Sequence, residues 1–298
     1  MTAPGVVSWA LLLEYDGTPF VGWQRQANGL SVQSVLEDAC ARLNGGATVS
    51  TVAAGRTDAG VHAAGQVALA ALPDRYRAEQ VRDALNFHML PHPVAVLRAA
   101  PAAPGWNPRF DAVGRAYAYR ILNRRARPAL DRSRVWHVER PLDADAMAEA
   151  ASLLLGRHDF TSFRASACQA KNPLRTLDRL DVTRHGDMLT VAAEARSFLH
   201  HQVRNMVGTL KLVGEGRWRP AQVQAALEAR DRRAAGPTAP PDGLMLLAVR
   251  YPQDPFGGGT SRTEACTPPD PRRMMNAQQL AMKAHPGGLP RPPARQVT

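Results

Sequence analysis

Val6 to Tyr15 is apolar and β-compatible, with an unbroken apolar run from Trp9 to Leu13. Ser31 then stands as an N-cap ahead of Val32, Val35, Leu36, Ala39 and Leu43. These fall on one helical face until Asn44-Gly45-Gly46 ends the pattern. Thr48 to Ala53 and Gln66 to Ala71 read as strands flanking a short polar loop. Ala78 to Phe87 reads as a helix stopped before Pro91, and Val94 to Ala100 as a further strand. The order β-α-β-β-α-β is the split unit of ferredoxin-like folds. A similar order recurs after Pro104. Phe110 to Leu122 is strand-like and Asp143 to Leu155 helix-like, and a hairpin is expected from Leu177 to Ala193 around His185-Gly186-Asp187. Leu199, Val203, Met206, Val207, Leu210 and Val213 then follow at helical spacing, and Leu244 to Val249 closes the sheet. The expected fold class is α+β: two ferredoxin-like halves, residues 1–103 and 104–251, with mainly antiparallel sheets and a cleft between them.

Composition sets the tail apart. Residues 252–298 hold 9 Pro and 5 Gly, a share typical of low-complexity chain, and no sustained apolar period, so a disordered tail is expected there. Of the formal net charge of +11, the tail's six basic and three acidic residues supply only +3, which leaves the basic character to the folded body. Such a surface suits a polyanion. No apolar run approaches the roughly 18 residues a membrane span needs. With no recognisable signal peptide, the expected location is cytoplasmic. Cys40, Cys168 and Cys266 are too widely spaced for a Cys-x-x-Cys site, so neither a disulfide framework nor structural zinc is expected.

The most unusual stretch is Ala54-Gly55-Arg56-Thr57-Asp58-Ala59-Gly60-Val61-His62, an Arg and an Asp bracketed by glycines where backbone can approach a ligand closely. Arg56 could hold a phosphate and keep Asp58 ionised. Alone, the segment reads more readily as an ordinary Asp-Gly-type turn stabilised by a surface ion pair. Arg109, Arg115, Arg120, Arg124, Arg125 and Arg127 would track phosphates of a folded RNA, or form a merely solvated basic face. Trp23 and Arg25 could pack in the core or touch RNA. His158, Asp159 and Ser162 lack the Gly-x-Ser-x-Gly elbow of a hydrolase. His200-His201 is a poor metal site if both lie on a helix, where neighbours diverge.

Many segments, in order, resemble one family. They include Glu14-Tyr15-Asp16-Gly17, Gly22-Trp23-Gln24-Arg25-Gln26 and Gly55-Arg56-Thr57-Asp58-Ala59-Gly60-Val61-His62. Arg115-Ala116-Tyr117-Ala118-Tyr119, Gly156-Arg157-His158-Asp159-Phe160 and Phe198-Leu199-His200-His201-Gln202-Val203-Arg204-Asn205-Met206 follow. Together they resemble the bacterial tRNA pseudouridine synthase A family over residues 10 to 251. The resemblance implies the pseudouridine synthase fold and isomerisation of uridine at positions 38, 39 and 40 of the tRNA anticodon stem-loop, by a homodimer without metal or organic cofactor. It implies Asp58 as the catalytic carboxylate and Tyr117 as the ring against the target base. Arg56 would hold or extrude the nucleotide, and Arg204 would be the basic partner of Asp58. The competing expectation is a non-catalytic tRNA-binding module or chaperone on the same scaffold, which would have no use for a carboxylate in a polyanion site.

Overall fold

The computed structural model describes residues 5–257. Strand β1 (Val6–Tyr15) is followed by α1 (Val32–Leu43), β2 (Thr51–Ala53), β3 (His62–Pro73), α2 (Ala78–Met89) and β4 (Val94–Pro101). The second half runs β5 (Gly114–Asn123), β6 (Trp136–Val138), α3 (Ala144–Ser152), β7 (Gly156–Asp159), β8 (Leu174–His185), β9 (Met188–Ala195), α4 (Gln202–Gly214), α5 (Pro220–Glu228) and β10 (Leu244–Arg250). Capping explains the sharp start of α1. The Ser31 hydroxyl accepts from the Ser34 N–H at 3.1 Å, and the Ser34 hydroxyl accepts from the Ser31 N–H at 3.1 Å.

The strands of both halves fuse into one ten-stranded sheet, ordered β4-β1-β3-β10-β5-β9-β8-β7, with β2 on β3 and β6 on β5. Among the described residues its pairings are antiparallel except β10 with β3 and β5 with β6. The join is β10, which the chain inserts last. Met245 and Leu246 pair with His62 and Ala63 on one side, and Leu244 to Arg250 pair with Tyr119 to Gly114 on the other. Two apolar cores result. One gathers Trp9, Leu11, Leu13, Trp23, Leu36 and Leu85 under α1 and α2. The other gathers Tyr119, Ile121, Met147, Phe160, Met206 and Leu210 under α3 and α4. Tyr117 packs against both. Burial on this scale, about 25 cal/mol per Å² of apolar surface, is the main stabilising term.

Several expectations need correction. The strand expected over 48–53 is confined to residues 51–53, and the helix expected from Leu199 starts only at Gln202. Helix α5 was not expected, although Pro220 at its first turn and the buried Val223, Ala226 and Leu227 carry its signature. The tail expectation from 252 lies partly outside the described residues, which end at 257. Within them, Asp254 lies 3.7 Å from Arg98 of β4, Phe256 O accepts from Arg98 Nη2 at 2.5 Å, and the Phe256 ring sits under that guanidinium at 5.4 Å. Asp254 and Phe256 are therefore anchored on β4.

Candidate active site

Residues 54–61 connect β2 to β3 and are tied down along their length. Ala54 donates its N–H to Val67 O at 2.8 Å, and its carbonyl accepts from Arg115 Nη2 at 2.6 Å. Gly55 O accepts from Gln66 Nε2 at 2.8 Å. The Thr57 hydroxyl lies 2.8 Å from the buried Tyr15 hydroxyl, whose phenol is pushed up to about 12 by burial. Thr57 O accepts from Trp23 N at 3.0 Å. Gly22, at φ 110°, makes that approach possible, since a Cβ there would fall 2.8 Å from Thr57 O. Gly60, at φ 78°, turns the chain so that Val61 N–H reaches Asp58 O at 3.1 Å. The loop presents Asp58 in one geometry.

Three side chains from a distant segment converge on that carboxylate. Arg204, in the first turn of α4, donates from Nη1 to Asp58 Oδ2 at 3.1 Å and from Nε to Ala239 O at 2.8 Å. His200 Nε2 lies 3.3 Å from Oδ1, and His201 Nε2 lies 3.4 Å from Oδ2. Asp58 and Arg204 are largely buried, with 21% and 12% of their side chains exposed. Sequence spacing of 146 residues separates the pair, and the β10 seam is what brings them together.

The expectation that His200 and His201 diverge on a helix is overturned. Both precede α4, and His201 has a left-handed backbone, φ 62° and ψ 5°. That twist turns two successive rings toward the same carboxylate, with centroids 4.0 Å apart. A non-glycine residue in such a conformation costs about 1–3 kcal/mol. Burial lowers the His201 imidazole below its ordinary value, with Asp58 opposing the shift and His200, Arg204 and Arg232 adding to it. A histidine kept neutral in this way contributes stability that is complete above the unfolded value of 6.5 and is lost as pH falls through the lower folded value. The melting temperature of the wild type is therefore expected to drop more between about pH 7.5 and about pH 5.5 than that of His201→Gly, read by thermal scans in matched buffers.

Asp58, His200 and His201 place ligand-type atoms within 4.8 Å of one another. Such a donor set suits a divalent transition ion, but Arg204 already supplies a fixed positive charge at Oδ2. A resident cation would have to share that oxygen with a guanidinium.

Tyr117 is half-buried on β5, with its ring edge-on to Phe198 at 5.3 Å and its phenol raised chiefly by burial. Tyr119, on the same face, is fully buried and donates to Pro240 O at 2.7 Å. Of the two rings, Tyr117 is the one open to a ligand. Arg56 is exposed, with no hydrogen bond or ion pair among the described residues, so the partner expected for Asp58 within its own loop is replaced by Arg204. Tyr117→Ala is expected to lower turnover about ten- to hundredfold, the worth of stacking on one base, with the melting temperature nearly kept. Equal losses of turnover and stability would mark the ring as core.

Arg115 departs from the phosphate-tracking role. It is buried, and its guanidinium donates to the backbone carbonyls of Ala54, Arg109 and Arg196, with burial lowering its pKa. It is a bracket beneath the Asp58 loop. Arg120 and Arg124 face Asp131 and Asp187, while Arg109, Arg125 and Arg127 stay exposed. Trp23 is core, and Arg25 pairs with Glu37 and Asp38. The hydrolase-like trio is dispersed: His158 faces Leu155 O, Asp159 accepts from Thr161 N, and the Ser162 hydroxyl accepts from Asp231 N.

The sequence model of a family described as tRNA pseudouridine synthase matches residues 12–111 and 150–252. A tRNA pseudouridine synthase A from Acidiphilium cryptum (strain JF-5) is 72% identical over 249 residues, covering 83% of this chain and 98% of the relative. The chain belongs to the tRNA pseudouridine synthase A family. Other synthases of the family, from Paramagnetospirillum magneticum (strain ATCC 700264 / AMB-1) and Rhodospirillum centenum (strain ATCC 51521 / SW), are 63% and 61% identical over 243 residues. Each covers 82% of this chain, and the chain covers 94% and 99% of them. A chain from the crystal structure of a Cbf5-Nop10-Gar1 complex aligns with 80% of this chain and 48% of its own length at 11% identity and a TM-score of 0.32, too loosely to bear on the site. Asp58, Arg56, His200, His201 and Arg204 lie inside the spans matched to the tRNA pseudouridine synthase family, whereas Tyr117 lies between them.

Sequence reasoning missed two things in this candidate site: the Arg115 bracket and the convergence of both histidines. Arg115 carried a signal, a charged residue in an otherwise apolar strand pattern. The left-handed turn at His201 carried none.

Proposed function

We propose that the chain isomerises uridine to pseudouridine at positions 38, 39 and 40 of the tRNA anticodon stem-loop, as a homodimer, with Asp58 as its catalytic carboxylate. The observation that carries this reading is the Asp58–Arg204 hydrogen bond of 3.1 Å, with the partly buried ring of Tyr117 at the seam between the two cores. The reaction breaks the bond from C1′ to N1 of uracil and forms one from C1′ to C5. A proton leaves C5, and N1 ends protonated. Nothing is oxidised or reduced, so the chemistry requires no redox cofactor. Asp58 supplies the carboxylate that adds to the sugar or base or takes a sugar proton, and Arg204 orients it. The base must leave its stack to reach this depth, and the Tyr117 ring offers it a replacement surface. Arg56, exposed and unpaired among the described residues, holds a backbone phosphate of the displaced nucleotide.

Because C5 loses its hydrogen, tRNA labelled with tritium at C5 of uridine should release the label to water when incubated with the protein. Retention of all label would contradict the reading. Turnover is expected to be unchanged in excess EDTA, since none of the steps above uses a metal ion. Activity lost in chelator and restored by one metal ion would reverse that expectation.

A further inference from the structure

We propose that His200 and His201 are positioning residues for Asp58, their Nε2 atoms bracketing its two carboxylate oxygens and fixing the plane that Arg204 alone leaves free. The proposal rests on the reading of Asp58 as the catalytic carboxylate and assigns a role to two side chains outside that reading.

Arg204 makes one hydrogen bond to the carboxylate, at Oδ2, and its Nε is committed to Ala239 O. A single contact leaves the carboxylate free to turn about its broad Cβ–Cγ torsion. His200 faces the other oxygen at 3.3 Å, and His201 adds a second contact to Oδ2 at 3.4 Å. These distances are long for hydrogen bonds, as catalytic contacts often are before substrate is bound. Donation requires the proton on Nε2 of each ring.

The backbone supplies the second, independent observation. His201 occupies the N-cap position of α4 in a left-handed conformation, which glycine or asparagine adopts more readily, yet its side chain makes no capping hydrogen bond. The strain is therefore not explained by helix initiation. What the conformation does achieve is to aim two consecutive imidazoles at one carboxylate. The turn is held from both sides: Ala165 N–H donates to His200 O at 2.9 Å, Leu199 N–H to Gln202 Oε1 at 2.8 Å, and Asn205 N–H to His201 O at 2.8 Å.

The charged and titratable groups around the pair are Asp58, Arg204 and Arg232. Burial first, and then His200 and the two guanidiniums, disfavour a positive charge on His201 against the pull of Asp58, which suits a neutral donor rather than a permanent counter-ion.

The test compares His201→Gly, His200→Ala and His200→Gln with wild type on the same unmodified tRNA, reading kcat, KM and melting temperature, with Asp58→Asn run in parallel. Glycine fits the left-handed position, so His201→Gly relieves the strain and keeps the turn. The expected result is a fall in kcat of about ten- to hundredfold, a KM within about twofold of wild type and a melting temperature not lowered. His200→Ala should behave alike, and His200→Gln, which restores a donor, should recover part of the loss. Full kcat in His201→Gly and His200→Ala would overturn the proposal, as would losses of kcat that merely follow losses of melting temperature. If the histidine variants are fully active while Asp58→Asn is dead, the positioning role fails and the catalytic reading stands. If Asp58→Asn is itself active, the catalytic reading fails first.

Discussion

Asp58→Asn is expected to abolish pseudouridine formation, a loss of at least about 10⁴-fold, the scale seen when an essential catalytic side chain is removed. Asparagine keeps the size of the residue and an acceptor oxygen for Arg204, so the loop ties from Tyr15, Gln66, Trp23 and Arg115 are untouched. What disappears is the carboxylate that can add to substrate or accept a proton. Binding of tRNA should survive, or tighten slightly, because a negative charge leaves a polyanion site. Turnover measured under single-turnover conditions, beside a binding titration, separates the two quantities. Measurable product from the purified variant would refute the assignment.

Arg204→Gln is expected to have the second-largest effect. The substitution removes the bond to Asp58 Oδ2 and the bond to Ala239 O together. Losing a positioned charged donor typically costs about 10²–10³ in turnover. Asp58 is left in a largely buried setting without its guanidinium, so stability should also fall, by about 1–3 kcal/mol for a hydrogen bond to a charged group. Arg204→Lys keeps the charge but cannot serve both acceptors, and should recover stability better than turnover. In an Asp58→Asn background, Arg204→Gln should lower the melting temperature less than it does in the wild type, because the charged partner is already gone. Additive losses of melting temperature would mean that Arg204 is not coupled to Asp58.

The elements with long apolar periods were legible in the sequence: β1, α1, α2, the β8–β9 hairpin and β10 lie close to where hydrophobic spacing put them. Short strands were not. Strands β6 and β7 hold three and four residues, too few to show a period. The fusion of both halves into one sheet was also hidden, because parallel pairing of β10 with β3 joins residues about 180 positions apart and leaves no local pattern. In the site, the glycine-bracketed loop by itself read as an ordinary turn; the ordered resemblance pointed to Asp58 and Arg204, which the structure brings within hydrogen-bond distance. His200 and His201 were misread because helical periodicity was extended three residues too far, through a turn whose left-handed residue is not glycine. Arg115 was misread because a basic residue in a basic protein invites a surface role, whereas this one spends its donors on three interior carbonyls.

Incubation of the purified chain with unmodified tRNA transcripts, with pseudouridine mapped at single-nucleotide resolution and Asp58→Asn as control, tests both the proposed reaction and the role of Asp58. With the wild type, pseudouridine is expected only at uridines in positions 38, 39 and 40 of the anticodon stem-loop, and with the variant none is expected. Modification that persists in the variant, or its absence with the wild type, would contradict this reading.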